Sequence, residues 1–99
     1  MTAPDTALHV VATIPVRPDA VAEARPILEA LETATRAEDG CLDYAAYTSS
    51  EDGVMVTVET WRAEADLDAH MATPHIATAI GAVTPLLAGE IVIHRLAPL

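Results

Sequence analysis

Phenylalanine is absent, and one tryptophan and two tyrosines are the only aromatic residues, 3% of a chain that is 52% hydrophobic. A core of this composition has to be assembled mainly from Ala, Val, Ile and Leu. Cysteine is nearly absent too. Cys41 stands alone, which excludes an intrachain disulfide and a cysteine-rich metal site and suits a reducing cytoplasm. Basic residues are scarce, 5 Lys and Arg against 15 Asp and Glu, for a formal charge of −10. Nucleic acids and anionic lipids are bound through basic contacts, so this chain should repel both. The acidity reads as a solvated surface. No apolar run approaches the ~20 residues of a membrane span. The start Met1-Thr2-Ala3-Pro4-Asp5 lacks the basic region and apolar stretch of a signal peptide.

Ninety-nine residues leave room for one core, so a single domain is expected over 1–99, with residues 1–7 as an N-terminal extension. A domain of this size buries only roughly 60–70% of its surface. Without disulfides or metal, burial against a second copy is a natural supplement.

What is present is alternation and three-four spacing. Leu8 to Val16 reads as a strand, with Val10, Ala12, Ile14 and Val16 on one face. Asp19 is placed to cap a helix from about Ala20 to Ala37, in which Val21, Ala24, Leu28, Leu31 and Thr35 point one way. Pro26 inside that run should kink or divide it. Glu38-Asp39-Gly40 stops the helix, Gly40 being the expected left-handed residue. Cys41 to Thr48 is a second strand with Leu42, Tyr44 and Ala46 on one face, and Ser49 to Gly53 a hairpin loop. Val54 to Trp61 alternates Val54, Val56, Val58 and Thr60 against Met55, Thr57, Glu59 and Trp61. Ala63 to Ala72 is helical, and Pro74 suits the first position of a new helical piece capped by Thr73, with Ile76, Ile80 and Val83 inward. Glu90 to Leu96 forms the last strand.

The order strand, helix, strand, strand, helix, strand predicts an α+β fold of the ferredoxin-like βαββαβ kind, an antiparallel sheet with its helices on one face. Val11, Met55, Trp61 and Val92 are read onto the opposite face, which is then apolar enough to need a cover. Two such sheets facing each other would provide it, as a homodimer.

With these segments placed, Glu38-Asp39-Gly40-Cys41-Leu42-Asp43-Tyr44, then Glu59-Thr60-Trp61, then His70-Met71-Ala72-Thr73-Pro74-His75 resemble the antibiotic biosynthesis monooxygenase family of dimeric α+β barrel proteins. Val16-Arg17-Pro18-Asp19 also fits, so the likeness covers nearly the whole chain. The resemblance implies a homodimer whose two sheets make a barrel, with a substrate pocket in each subunit between sheet and helices. It embraces cofactor-free quinol and anthrone oxygenases, haem-degrading enzymes and small isomerases. The haem-degrading pattern asks for an Asn on the first strand, then a Trp and a His on the second helix. Ala12, His70 and Ile80 stand at those places. Haem is not expected.

His70, one helical step from Leu67, should face the sheet, where its imidazole can take or give a proton near neutral pH. The competing role is a buried histidine satisfied by a carbonyl or carboxylate. His75 follows the Pro74 break at the start of a helical turn and could meet a substrate oxygen or sit at the pocket rim. His70 and His75 are five apart with Pro74 between them, unlike the i, i+4 pair of a helical metal site, so no metal is expected. Glu59, mid-strand, is a proton acceptor, an orienter of a histidine, or a dimer-interface carboxylate paired with Arg62 or Arg95. Tyr44 offers a hydroxyl to a phenolic substrate. Trp61 is a substrate platform or a packing residue. Val10, Ala12, Met71 and Ile76 would line an apolar pocket.

The expected activity is a cofactor-independent monooxygenation of a small electron-rich aromatic, a quinol or anthrone-like polyketide, with O2. His70 would be the base, and Tyr44, His75 and Glu59 would orient oxygens. A cofactor-free isomerase, or a noncatalytic dimer that binds a small molecule, would use the same pocket.

Overall fold

A computed structural model describes residues 7–99. Apart from Ala7, the extension expected over 1–7 lies outside the described residues. The chain runs β1 (Leu8–Pro15), α1 (Val21–Arg36), β2 (Cys41–Thr48), β3 (Val54–Trp61), α2 (Glu64–Met71), α3 (Pro74–Val83) and β4 (Val92–Leu96), with short 3-10 turns at Pro18–Ala20 and Thr84–Leu86. The four strands form one antiparallel sheet in the order β2-β3-β1-β4. This is the expected ferredoxin-like α+β arrangement, the second helical stretch being two helices. Among the described residues no helix is long and apolar enough to cross a membrane.

The helix-facing side of the sheet carries Val10, Ala12 and Ile14 of β1, Tyr44 of β2, and Met55, Thr57, Glu59 and Trp61 of β3, all buried. They meet Ala24, Leu28 and Leu31 of α1, Leu67 of α2, and Ile76, Ala79 and Val83 of α3. Val54, Val56, Val58 and Thr60 take the other side with Val11 and Val92, following the strand register. The placement of Met55 and Trp61 on the open face is therefore corrected. The open face is apolar, but its valines make it so.

Local details also depart from expectation. Asp19 lies within the first 3-10 turn and caps nothing; the residue before α1 is Ala20, without a side-chain cap. Pro26 does not divide α1, because it sits on the exposed side, where water can reach the carbonyl it leaves unbonded. Gly40 is not left-handed. Gly53, with φ 81°, is the one described glycine at positive φ. Gly40 is needed for space instead, since a Cβ there would lie 2.1 Å from Cγ of Asp66. Leu42 is half-exposed at a bulge between Cys41 and Asp43, so Cys41, not Leu42, packs toward the core beside Tyr44. Ile80 is also 40% exposed, and Ala79 takes the inward position.

β2 is an edge strand, and two of its outward backbone groups are met by side chains of α1. Arg36 Nε donates to the Tyr44 carbonyl at 2.8 Å, and the Ala46 amide donates to Glu32 Oε2 at 2.8 Å. Arg36 and Glu32 pair with each other at 3.4 Å.

Among the described residues, Thr35, fully buried on the inner face of α1, is the one whose buried side-chain polar atom has no hydrogen-bond partner. A buried unsatisfied hydroxyl costs roughly 1–3 kcal/mol. Thr35→Val removes that group at nearly constant volume and is expected to stabilise the protein by about 1 kcal/mol. A urea midpoint equal to or below that of the unaltered protein would contradict this account.

Candidate active site

Three segments converge at one end of the sheet. The loop after α1 brings Glu38, the last turn of α2 brings His70, and the first turn of α3 brings His75. Their placement follows from local chemistry. Arg62, just after β3, donates to Asp66 Oδ1 at 2.7 Å and to Asp39 Oδ2 at 3.3 Å, tying the loop to the start of α2. The Arg62 amide also donates to the Gly40 carbonyl at 2.9 Å. The bare Gly40 lets that loop close on Asp66. On the other side, Thr73 joins the two helices. Its hydroxyl donates to the His70 carbonyl at 2.7 Å and accepts from the Ile76 amide at 3.3 Å, capping α3 as expected. The Thr73-Pro74 break thus turns the chain so that two histidines on different helices meet one carboxylate.

A carboxylate only accepts, so both rings donate to it. His70 Nδ1 donates to Glu38 Oε2 at 2.6 Å, and His75 Nε2 donates to the same oxygen at 2.7 Å. His70 is 2% exposed. It makes no other side-chain hydrogen bond among the described residues, so its Nε2 has no protein partner. One donor atom from each of Glu38, His70 and His75 lies within 4.8 Å of the other two.

Behind His70 is a second buried group. Trp61 stacks at a tilt with its ring centroid 4.7 Å from that of His70, and its edge meets Tyr44 at 6.5 Å. Trp61 Nε1 donates to Glu59 Oε1 at 2.9 Å, and Thr57 Oγ1 donates to Glu59 Oε2 at 2.7 Å. Glu59 is therefore held by its own strand and faces the core. It does not pair with Arg62, which binds Asp66 and Asp39, or with Arg95, which lies near Glu64 and Asp68. Burial first, and the Glu59 carboxylate second, push the Tyr44 hydroxyl well above the ordinary phenol range, so Tyr44 stays a neutral donor. Burial, with Glu38 next, pushes the Cys41 thiol up to about 11, which keeps it from acting as a nucleophile.

A cavity of about 60 Å³ lies between the sheet and the helices. His70, Glu59, Tyr44 and Thr57 supply its polar wall, and Ala12, Met71 and Ile76 are among its apolar lining. Of the residues expected at a pocket, these walls bring together His70, Glu59, Tyr44, Ala12, Met71 and Ile76. Val10 and Trp61 do not reach the cavity; both are buried behind its wall. His75 lines a separate groove between α1 and α3, with Leu31 and Ala79 shared between the two spaces. The sequence reading gives Glu38 a place in the helix stop and in the family-like Glu38-to-Tyr44 segment, but no role in the site. Nothing in a linear sequence joins it to residues 32 and 37 positions later, although the acidic Glu-Asp-Gly segment ahead of a strand was visible.

Fold and site together define a ferredoxin-like α+β protein with a histidine–carboxylate group under one end of its sheet. Residues 7–82 match the antibiotic biosynthesis monooxygenase family. The chain is 39% identical over its whole length to "Putative monooxygenase Rv0793" of Mycobacterium tuberculosis, covering 95% of that protein. The solved structure of Rv0793 superposes with a TM-score of 0.86, covering 94% of this chain and 95% of that one. An antibiotic biosynthesis monooxygenase from Caulobacter crescentus, also designated "putative", gives 0.88 at 31% identity over 95% of this chain and 91% of its own. PA3566 of Pseudomonas aeruginosa gives 0.86 at 31% identity over 96% of each. This chain belongs to the antibiotic biosynthesis monooxygenase family.

Proposed function

We propose that the protein is a cofactor-independent monooxygenase of a small electron-rich aromatic, a quinol or an anthrone-like compound. The observation that carries this reading is His70, a buried imidazole in the wall of a largely apolar cavity, anchored through Nδ1 to Glu38. The anchor places the ring proton on Nδ1 and leaves Nε2 as the base, the same logic by which an acidic residue orients a catalytic histidine. A phenol or quinol that enters the cavity gives its proton to Nε2, and the neutral Tyr44 hydroxyl donates to a ring oxygen. The resulting anion is rich enough to pass an electron to O2, so no further redox group is required. One oxygen atom stays on the carbon that loses hydrogen, and the other leaves as water. For a hydroquinone this gives a hydroxyquinone and water, which balances.

The cavity size favours one ring over three. An apolar cavity of about 150 Å³ accommodates benzene, and this one is smaller. Met71, 40% exposed at the mouth beside Ile80 and Ile93, has the unbranched thioether chain best able to yield. Oxygen uptake on a panel of quinols and anthrones tests the reading, with single-ring quinols expected to react fastest. Turnover without oxygen uptake would point to an isomerase. A ligand-dependent rise in melting temperature without any turnover would point to a binding module.

The same reading takes the protein as a single domain that works as a homodimer in the cytoplasm. The lone half-buried thiol of Cys41 suits a reducing compartment. The open sheet face supports the dimer: Val58 and Val92 are 41% and 42% exposed, and β4 is exposed along its length. Val58→Lys places a charge at the centre of that face and is expected to convert a dimer to a monomer in sedimentation at micromolar concentration. A monomeric unaltered protein would remove the dimer from the reading.

A further inference from the structure

We propose that Glu38, His70 and His75 form a binding site for one divalent transition-metal ion of the zinc class. Two imidazoles and one carboxylate are the donor set that suits Zn, Co, Ni or Cu, and it is a poor match to Mg or Ca, which take oxygen ligands. Three protein donors with a remaining open position is also the ligand count of a catalytic zinc site.

The geometry is nearly that of such a site. Metal bonds of about 2.0–2.2 Å at angles between octahedral and tetrahedral set the donors roughly 2.8–3.6 Å apart. Both imidazole nitrogens already lie 2.6 and 2.7 Å from Glu38 Oε2, and the three donors lie within 4.8 Å of one another. An ion replaces the two shared protons if each imidazole nitrogen draws back from the shared oxygen by about 1 Å or less and the two nitrogens close to the same spacing. The site is only partly open, with side-chain exposures of 3% for His70, 14% for Glu38 and 27% for His75. It has its own access, because His75 lines the groove between α1 and α3 while His70 lines the cavity. The formal charge of −10 favours the approach of a cation. Two independent devices fix the donors: Arg62 and Gly40 hold the loop of Glu38, and Thr73 holds the junction of the two helices that carry His70 and His75.

An ion on Nδ1 of His70 moves the ring proton to Nε2 and so removes the base used in the proposed oxygenation. Metal occupancy and proton transfer by His70 are alternative states of one group. The metal site does not depend on the identity of the substrate.

The test uses Trp61, the sole tryptophan, whose ring centroid is 4.7 Å from that of His70. Full-length protein stripped by a chelator is titrated with Co2+ and Cu2+ while its tryptophan emission is followed, and with Zn2+ by calorimetry. The expected result is saturable binding of one ion per chain, with most of the emission lost to Cu2+ and visible absorption bands from Co2+. His75→Ala and Glu38→Gln should each weaken binding at least tenfold while keeping the far-ultraviolet circular dichroism of the fold. A variant with both His9 and His94 replaced by alanine should bind as the unaltered protein does, since those histidines lie on the other side of the sheet. Absence of one-to-one binding, or equal binding by His75→Ala, would overturn the proposal. Loss of binding in the His9 and His94 variant would overturn it as well.

Discussion

Replacing His70 with alanine is expected to lower turnover of a quinol by about 10²–10⁴-fold, the usual contribution of a positioned general base. The effect should fall on kcat with little change in KM, because the substrate is held by the apolar lining and by Tyr44, and the imidazole takes up a proton only as the reaction proceeds. The space vacated on the cavity wall gives a further check. Imidazole added to the buffer should restore part of the rate to His70→Ala and none to the unaltered enzyme. Glu38→Gln should have a smaller effect, since the amide oxygen can still accept from one ring. Full turnover by His70→Ala would remove His70 from the chemistry and leave it as a buried histidine satisfied by Glu38.

The second large effect concerns stability. Trp61 is wholly buried, and its ring packs against those of His70 and Tyr44. Trp61→Ala should cost about 3–5 kcal/mol, the range for a large aromatic in a packed interior. Against a typical total of about 5–15 kcal/mol, that is a large share of what holds a small domain folded. Part of the cost comes from Glu59, whose Oε1 loses its donor. Trp61→Phe separates the two contributions: it keeps most of the packing, removes the Nε1–H, and is expected to cost about 1–3 kcal/mol through the unsatisfied carboxylate oxygen. Urea unfolding of the two variants measures the difference. Equal stability of Trp61→Phe and the unaltered protein would show that the hydrogen bond contributes nothing.

Trp61 also marks the limit of what the sequence makes legible. Period-two alternation correctly separated Val54, Val56, Val58 and Thr60 from Met55, Thr57, Glu59 and Trp61. Alternation says which residues share a face and is silent on which face is inside. Three valines look more like a core than a row containing a threonine and a glutamate, yet the polar-looking row is the buried one. It can be so because the Thr57 hydroxyl and Trp61 indole satisfy the Glu59 carboxylate. The strands, the helix break at Pro74 and the inward direction of His70 were readable because each rests on local rules. The meeting of His70 and His75 on Glu38 was not, since it depends on a loop closing over Gly40 and on the angle between two helices. Gly40 itself was recognised as necessary, though for backbone conformation, when the requirement is room for Asp66.

The Glu32 and Arg36 pair on α1 bears on how molecules of this protein can meet. A sheet edge with free amides and carbonyls is a template on which further strands can be laid, and polymers grow from such edges. Here the two side chains occupy hydrogen-bonding positions of β2 that an incoming strand would need, at Tyr44 and Ala46. An added chain would have to break an ion pair and leave a carboxylate and a guanidinium facing its own backbone. Growth along that edge is thereby opposed, which leaves β4 as the other edge of the sheet and the proposed homodimer to form through the valine-covered face.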